Sequence, residues 1–127
     1  MWNQPKRKDR LGGTAKRVEL DGYSFQSVSE GDLYVYLKNL LKLGEIDSIK
    51  CQDNIHLSEA KFLYKPDFRV TMPDGTYQWH EMKGFETDTW RRNRRLWKHY
   101  GPGKLTVWKK NPRGIYIHET ILSKATT

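Results

Sequence analysis

Asp67 stands in a β-rich stretch, residues 61–72, and Glu81 and Lys83 stand two apart at the end of a second, residues 76–83. Between the stretches Pro73-Asp74-Gly75 supplies turn chemistry, which predicts that the two pair as a hairpin. Side chains alternate along a strand, so Glu81 and Lys83 share one face and Met82 points away. Asp67, from the neighbouring strand, then approaches Glu81 across the pair. Two close carboxylates repel each other unless a cation lies between them, and hard oxygen donors suit Mg2+. A lysine two residues on orients or deprotonates an attacking water and offsets phosphate charge. These are the requirements of phosphodiester hydrolysis. The competing reading is a hairpin that carries three surface ion-pairing side chains.

Those strands need a scaffold, and the flanking sequence describes one. Residues 1–17 are polar and basic, contain Gly12-Gly13, and read as a flexible arm; residues 18–127 read as a single domain. Asp21-Gly22 is a favoured hairpin turn within residues 18–25. Ser27-Val28-Ser29-Glu30 reads as a capping box, Leu33, Leu37, Leu40 and Leu41 follow at helical spacing, and Gly44 sits at a C-cap position. A helix is predicted over 28–43, with loop and short strand over 46–57. Thr87 or Asp88 caps a second helix to about His99, ended by a glycine cap in Gly101-Pro102-Gly103. Residues 105–108 read as a short strand and 115–122 as strand or helix. The order implies an α/β fold, a mixed central β-sheet flanked by helices.

Three motifs then occur in order: Phe25-Gln26-Ser27-Val28-Ser29-Glu30, Pro66-Asp67-Phe68 and Lys83-Gly84-Phe85-Glu86-Thr87-Asp88. With them, residues 25–100 resemble the core of the PD-(D/E)xK nucleases, the fold of many restriction endonucleases and Holliday-junction resolvases. Within that superfamily the chain is similar to a group of small phage-encoded members. The resemblance implies a restriction-endonuclease-like core and a catalytic set of Glu30, Asp67, Glu81 and Lys83. It further implies that Asp67 and Glu81 ligate Mg2+, with Mn2+ able to substitute. The Met82 backbone carbonyl would complete the protein ligands, and Glu30 would reach the metal through water. Glu30 also has a structural reading as the fourth residue of the capping box. Gly31 stands where that group tends to carry alanine, which predicts a loosened helix start. Homodimers, each subunit cutting one strand, follow by analogy with small resolvases of the fold.

On a helical wheel Arg91, Arg94, Arg95 and Lys98 share one face, and Trp90, Asn93, Trp97 and Tyr100 lie opposite, as a core-facing stripe. Like charges at i, i+4 destabilise a helix unless they meet an anion, and phosphate contact fits. Lys104, Lys109 and Lys110, with Arg113, extend this DNA-binding patch; a merely solvated face is the alternative. His80 is expected to point away from Glu81 and serve packing or hydrogen bonding. Cys51 reads as a small buried residue, and His56, His99 and His118 fall in no pattern.

Charge distribution fits a polyanionic partner, the alternative being a solvated surface with a basic tail at each end. The 127 residues carry a net +8, as +5 over residues 1–17, −6 over 18–88 and +9 over 89–127. An acidic centre between basic flanks holds a polyanion while keeping carboxylates for chemistry. No apolar run is long enough to span a membrane, nothing resembles a signal peptide, and one cysteine forms no internal disulfide. The combined expectation is a cytoplasmic, Mg2+-dependent DNA endonuclease of phage recombination, repair or branched-DNA processing. The rivals are a catalytically silent nucleic-acid-binding module and the nuclease subunit of a larger complex.

Overall fold

The computed structural model describes residues 17–58 and 62–124. The elements in chain order are β1 (Val18–Leu20), β2 (Tyr23–Phe25), α1 (Val28–Lys42), β3 (Ser48–Cys51), β4 (Ile55–His56), β5 (Leu63–Tyr64), β6 (Phe68–Thr71), β7 (Tyr77–Met82), α2 (Asp88–Tyr100), β8 (Leu105–Asn111) and β9 (Gly114–Ile121). Apart from Arg17, the arm expected at residues 1–17 lies outside the described residues.

Five strands form the central sheet in the order β3-β6-β7-β8-β9. Only β7 and β8 run parallel, and the crossover that a parallel pair demands is α2. Residues 115–122, ambiguous in sequence, pair along β8 as a strand, and β8 itself runs three residues beyond the expected Trp108. The sheet is therefore mixed and the fold α/β, with one helix on each face.

Register assigns the faces. Phe68 lies opposite His80 and Met82 opposite Trp108, and this side, with Val70, packs on Leu33, Tyr34 and Leu37 of α1. Trp79 lies opposite Leu105 and Glu81 opposite Val107, and this other side, with Ile121, packs on Trp90 and Trp97 of α2. Alternation thus sends Glu81 toward α2 and Met82 toward α1, as the sequence predicts. His80 is buried and accepts a 2.9 Å hydrogen bond at Nδ1 from the Trp108 indole N–H. Burial, and then the charge of Lys104, hold its imidazole down at about 4.

Three local expectations are corrected. The helix start at Gly31 is not loosened: Gly31 lies within α1, and a Cβ there would meet Val18 Cγ1 at 3.3 Å. A small residue at this position lets β1 lie against the helix. The end of α2 falls at Gly101 as expected, but the cap is extended rather than the left-handed glycine cap, with φ −64° and ψ 143°. Glycine is required there by contact, since a Cβ would fall 2.6 Å from the Trp97 ring. Tyr100, placed on the core stripe by the wheel, is 52% exposed, as the last residue of α2.

Candidate active site

The hairpin of β6 and β7 brings Asp67 and Glu81 together as expected and ties each to the other's strand. The Asp67 N–H donates to Glu81 Oε1 at 3.1 Å, and the Met82 N–H donates to Asp67 Oδ2 at 2.8 Å. Lys83 Nζ lies 3.4 Å from Glu81 Oε2 and 4.8 Å from the centre of the Trp90 ring. Carboxylate and indole therefore fix the ammonium from two sides, one by charge and one by the ring's electron-rich face. The first turn of α1 supplies Glu30. The Ser27 hydroxyl accepts from the Glu30 N–H at 3.1 Å, which is one half of the expected capping box. The Glu30 carboxylate is buried and lines a pocket of about 200 Å3 with Asp67, Cys51 and Gln52.

Electrostatics bind these groups into one unit. Burial, and then the charge of Glu81, push the Glu30 carboxyl up to about 7. Burial, with Glu81 and then Glu30, raises Asp67 well above the usual carboxylate range. Glu81 is raised by burial against the opposing pull of Lys83, the Tyr64 hydroxyl and the Asp67 N–H. Three carboxyls that resist ionising beside one another are stabilised by a cation among them. Among the described residues no group of three or more His, Cys, Asp or Glu side chains is arranged to hold a metal by itself. The carboxylates of Asp67 and Glu81, brought together by the hairpin, are hard oxygen donors of the kind that Mg2+ or Mn2+ takes.

Three participants escaped the sequence reading. Tyr64, from the β4–β5 ribbon, donates its buried hydroxyl to Glu81 Oε1 at 2.8 Å. Its distance from Asp67 in sequence matches no strand alternation, so only the tertiary fold reveals it. Gln52 adopts φ +55°, turning the chain at the end of β3 where its N–H donates to the Asp67 carbonyl at 2.8 Å. Cys51, read as a packing residue, is half-buried beside the carboxylates; burial, then Glu30 and Asp67, push its thiol up to about 11.

The basic residues divide into groups. Lys109 and Lys110 line a pocket of about 310 Å3 with Lys83, Met82, Ser27 and Ser29. Each also meets an acid: Lys109 meets Glu86 at 3.0 Å and Lys110 meets Asp32 at 2.5 Å. Arg91, Arg94 and Arg95 line a second depression with Glu86, Glu119 and His118. There Arg94 forms a two-pronged pair with Glu119, and Arg91 pairs with Asp88 at 2.9 Å. Arg95 and Lys98 are exposed on the same helix. Lys104 stands apart, preceding β8 at the opposite end of the strand from Lys109 and lining a different pocket with Tyr77 and Trp79. His118 sits where the register of β8 and β9 slips by one residue, a bulge that brings it within 4.0 Å of Glu86.

Residues 11–113 match DUF1064, a family of proteins of unknown function, and the chain belongs to it. No curated protein matches the chain. Among the described residues, no helix is long and apolar enough to cross a membrane.

Proposed function

We propose that this protein is a metal-dependent DNA endonuclease with a PD-(D/E)xK-type active site. The observation that carries the reading is the junction of Asp67, Glu81 and Lys83, with Glu30 beside them, next to a pocket lined by Lys109 and Lys110. Asp67, Glu81 and the Met82 carbonyl would hold Mg2+, or Mn2+ in its place, and Glu30 would reach it through water. The ion supplies Lewis-acid polarisation of the phosphate and charge stabilisation in the transition state. Tyr64 and the Asp67 N–H hold Glu81 by Oε1, which leaves Oε2 to orient Lys83. The Lys83 ammonium donates to the attacking water or to a non-bridging phosphate oxygen, lowering the cost of charge build-up. Lys109, Lys110 and the arginines of α2 hold the flanking phosphates. Attack by water leaves a 5′-phosphate and a 3′-hydroxyl. In this reading the protein is phage-encoded, works in the host cytoplasm on recombining or branched DNA, and cuts both strands as a homodimer.

One observation favours a catalytically silent DNA-binding module instead: Glu81 is already satisfied by Tyr64, the Asp67 N–H and Lys83. Incubation with supercoiled plasmid, linear duplex and a four-way junction, in Mg2+ or in EDTA, separates the two. Cleavage confined to Mg2+ is expected. Binding without cleavage in Mg2+ and Mn2+ would favour the silent module.

A further inference from the structure

We propose that Phe85 is a wedge that stacks between nucleobases beside the carboxylate site. The preferred substrate is then DNA whose stacking is already broken, at a bulge, mismatch or branch. This deepens, and rests on, the nucleic-acid reading above. Phe85 is 86% exposed, against 71% for Leu43, the next most exposed large apolar residue among those described. Isolated apolar side chains are common on protein surfaces and need no explanation by themselves. Phe85 is distinguished by its mounting and its surroundings.

The ring sits on the short connection from Lys83 to the N-cap of α2, and that connection is pinned at both ends. The Lys83 N–H donates to the Trp108 carbonyl at 2.9 Å, and the Glu86 carboxylate meets Lys109 at 3.0 Å. The Thr87 hydroxyl then accepts from the Trp90 N–H at 3.1 Å. A Cβ on Gly84 would meet nothing within 4 Å, so the space beside this residue is open. The ring is thus presented outward on a fixed turn.

The residues on either side of Phe85 in the chain border cationic pockets. Gly84, which precedes Phe85, lines a pocket with Lys83, Lys109 and Lys110, and Glu86, which follows it, lines a depression with Arg91, Arg94 and Arg95; Lys109, Lys110, Arg91 and Arg94 each also meet an acid. An apolar protein groove has no use for so many charged side chains. A nucleic acid uses both features, with phosphates on the cations and a base on the ring. Inserting a ring into intact duplex requires unstacking a base step, and DNA already unstacked avoids that cost.

The test is equilibrium binding by the full chain in EDTA, which blocks metal-dependent cleavage. A perfect duplex is compared with the same duplex carrying one unpaired base. Wild type should prefer the bulged duplex by about tenfold, the scale of a single base–aromatic contact. Phe85→Ala should lose that preference while keeping the salt dependence of binding, because the phosphate contacts remain. Phe85→Trp should retain the preference, and the melting temperature of each variant checks its fold. A wild type without preference, or a Phe85→Ala variant that retains it, overturns the wedge and leaves the endonuclease reading standing. A wild type that binds neither duplex overturns both.

Discussion

The Tyr64 hydroxyl donates to Glu81 Oε1 at 2.8 Å inside the core, so a phenol from a two-stranded ribbon fixes a carboxylate of the central sheet. That bond favours the ionised carboxylate and pulls the Glu81 pKa down against the upward push of burial. Tyr64→Phe should therefore raise the Glu81 pKa further and move the acid limb of any pH–activity profile to higher pH. It should also cost about 1 kcal/mol of stability, a typical net value for one hydrogen bond. An unmoved acid limb in the variant, with a normal fold, would show that Tyr64 has no hold on the site.

Much of this arrangement was legible in the sequence, for reasons that are local. The β6–β7 hairpin follows from its turn residues and strand periodicity, and with it the approach of Asp67 to Glu81 and the shared face of Glu81 and Lys83. Ser27 and Thr87 cap the two helices as their types predict. Long-range pairing was not legible. Tyr64 and Cys51 reach the site through strand partners that no local pattern specifies. The helical wheel sorted the arginines of α2 by side but could not show that Glu119, on a distant strand, occupies Arg94. Gly101 reads in sequence as a conformational cap because its contact with the Trp97 ring, four residues back, has no sequence signature.

Replacement of Lys83 by Ala should abolish cleavage and leave DNA binding nearly intact, since other cations hold the backbone. Asp67→Asn should remove metal binding and cleavage together and should also disturb the bond from the Met82 N–H. Plasmid nicking assays with metal-binding calorimetry report both outcomes. Cleavage at the wild-type rate by both variants would falsify the site.

Gly101→Ala drives a methyl group into the Trp97 ring, which is fully buried and anchored by its indole N–H to the Gly103 carbonyl at 2.8 Å. The ring has no room to withdraw, so a loss of about 1–3 kcal/mol is expected, the usual range for overpacking a core. Urea denaturation measures it, and a variant as stable as wild type would refute the contact.

Arg95 and Arg94 share a helix but not a role. Arg95→Ala should lower the slope of log affinity against log salt by about 0.9, the value for one phosphate contact on duplex DNA. Arg94→Ala instead leaves Glu119 without its partner and adds a free carboxylate to the depression. It should weaken binding and lower the melting temperature together. Equal slopes for wild type and Arg95→Ala would mean that this face is only solvated.

The pH dependence of stability carries the signature of the carboxyl cluster. Glu30 moves from an ordinary 4.5 up to about 7 in the fold, so the native state holds its proton more tightly than the unfolded chain does. Its stabilising contribution is complete below 4.5 and is lost as pH rises through about 7. Asp67 and Glu81 shift in the same direction. His80 opposes them, because its imidazole falls from 6.5 to about 4 and its contribution grows over that interval. The difference between wild type and Glu30→Gln cancels the histidine. In EDTA the melting temperature of wild type minus that of Glu30→Gln should fall across the window from 4.5 to about 7. Mg2+ favours the ionised carboxylates, so it should stabilise wild type more at the alkaline end and release protons on binding. Calorimetry in two buffers of different ionisation enthalpy reports that release. A difference that stays flat or rises with pH in EDTA would mean that Glu30 ionises in the fold as readily as in the unfolded chain, or more so, and would remove it from the cluster.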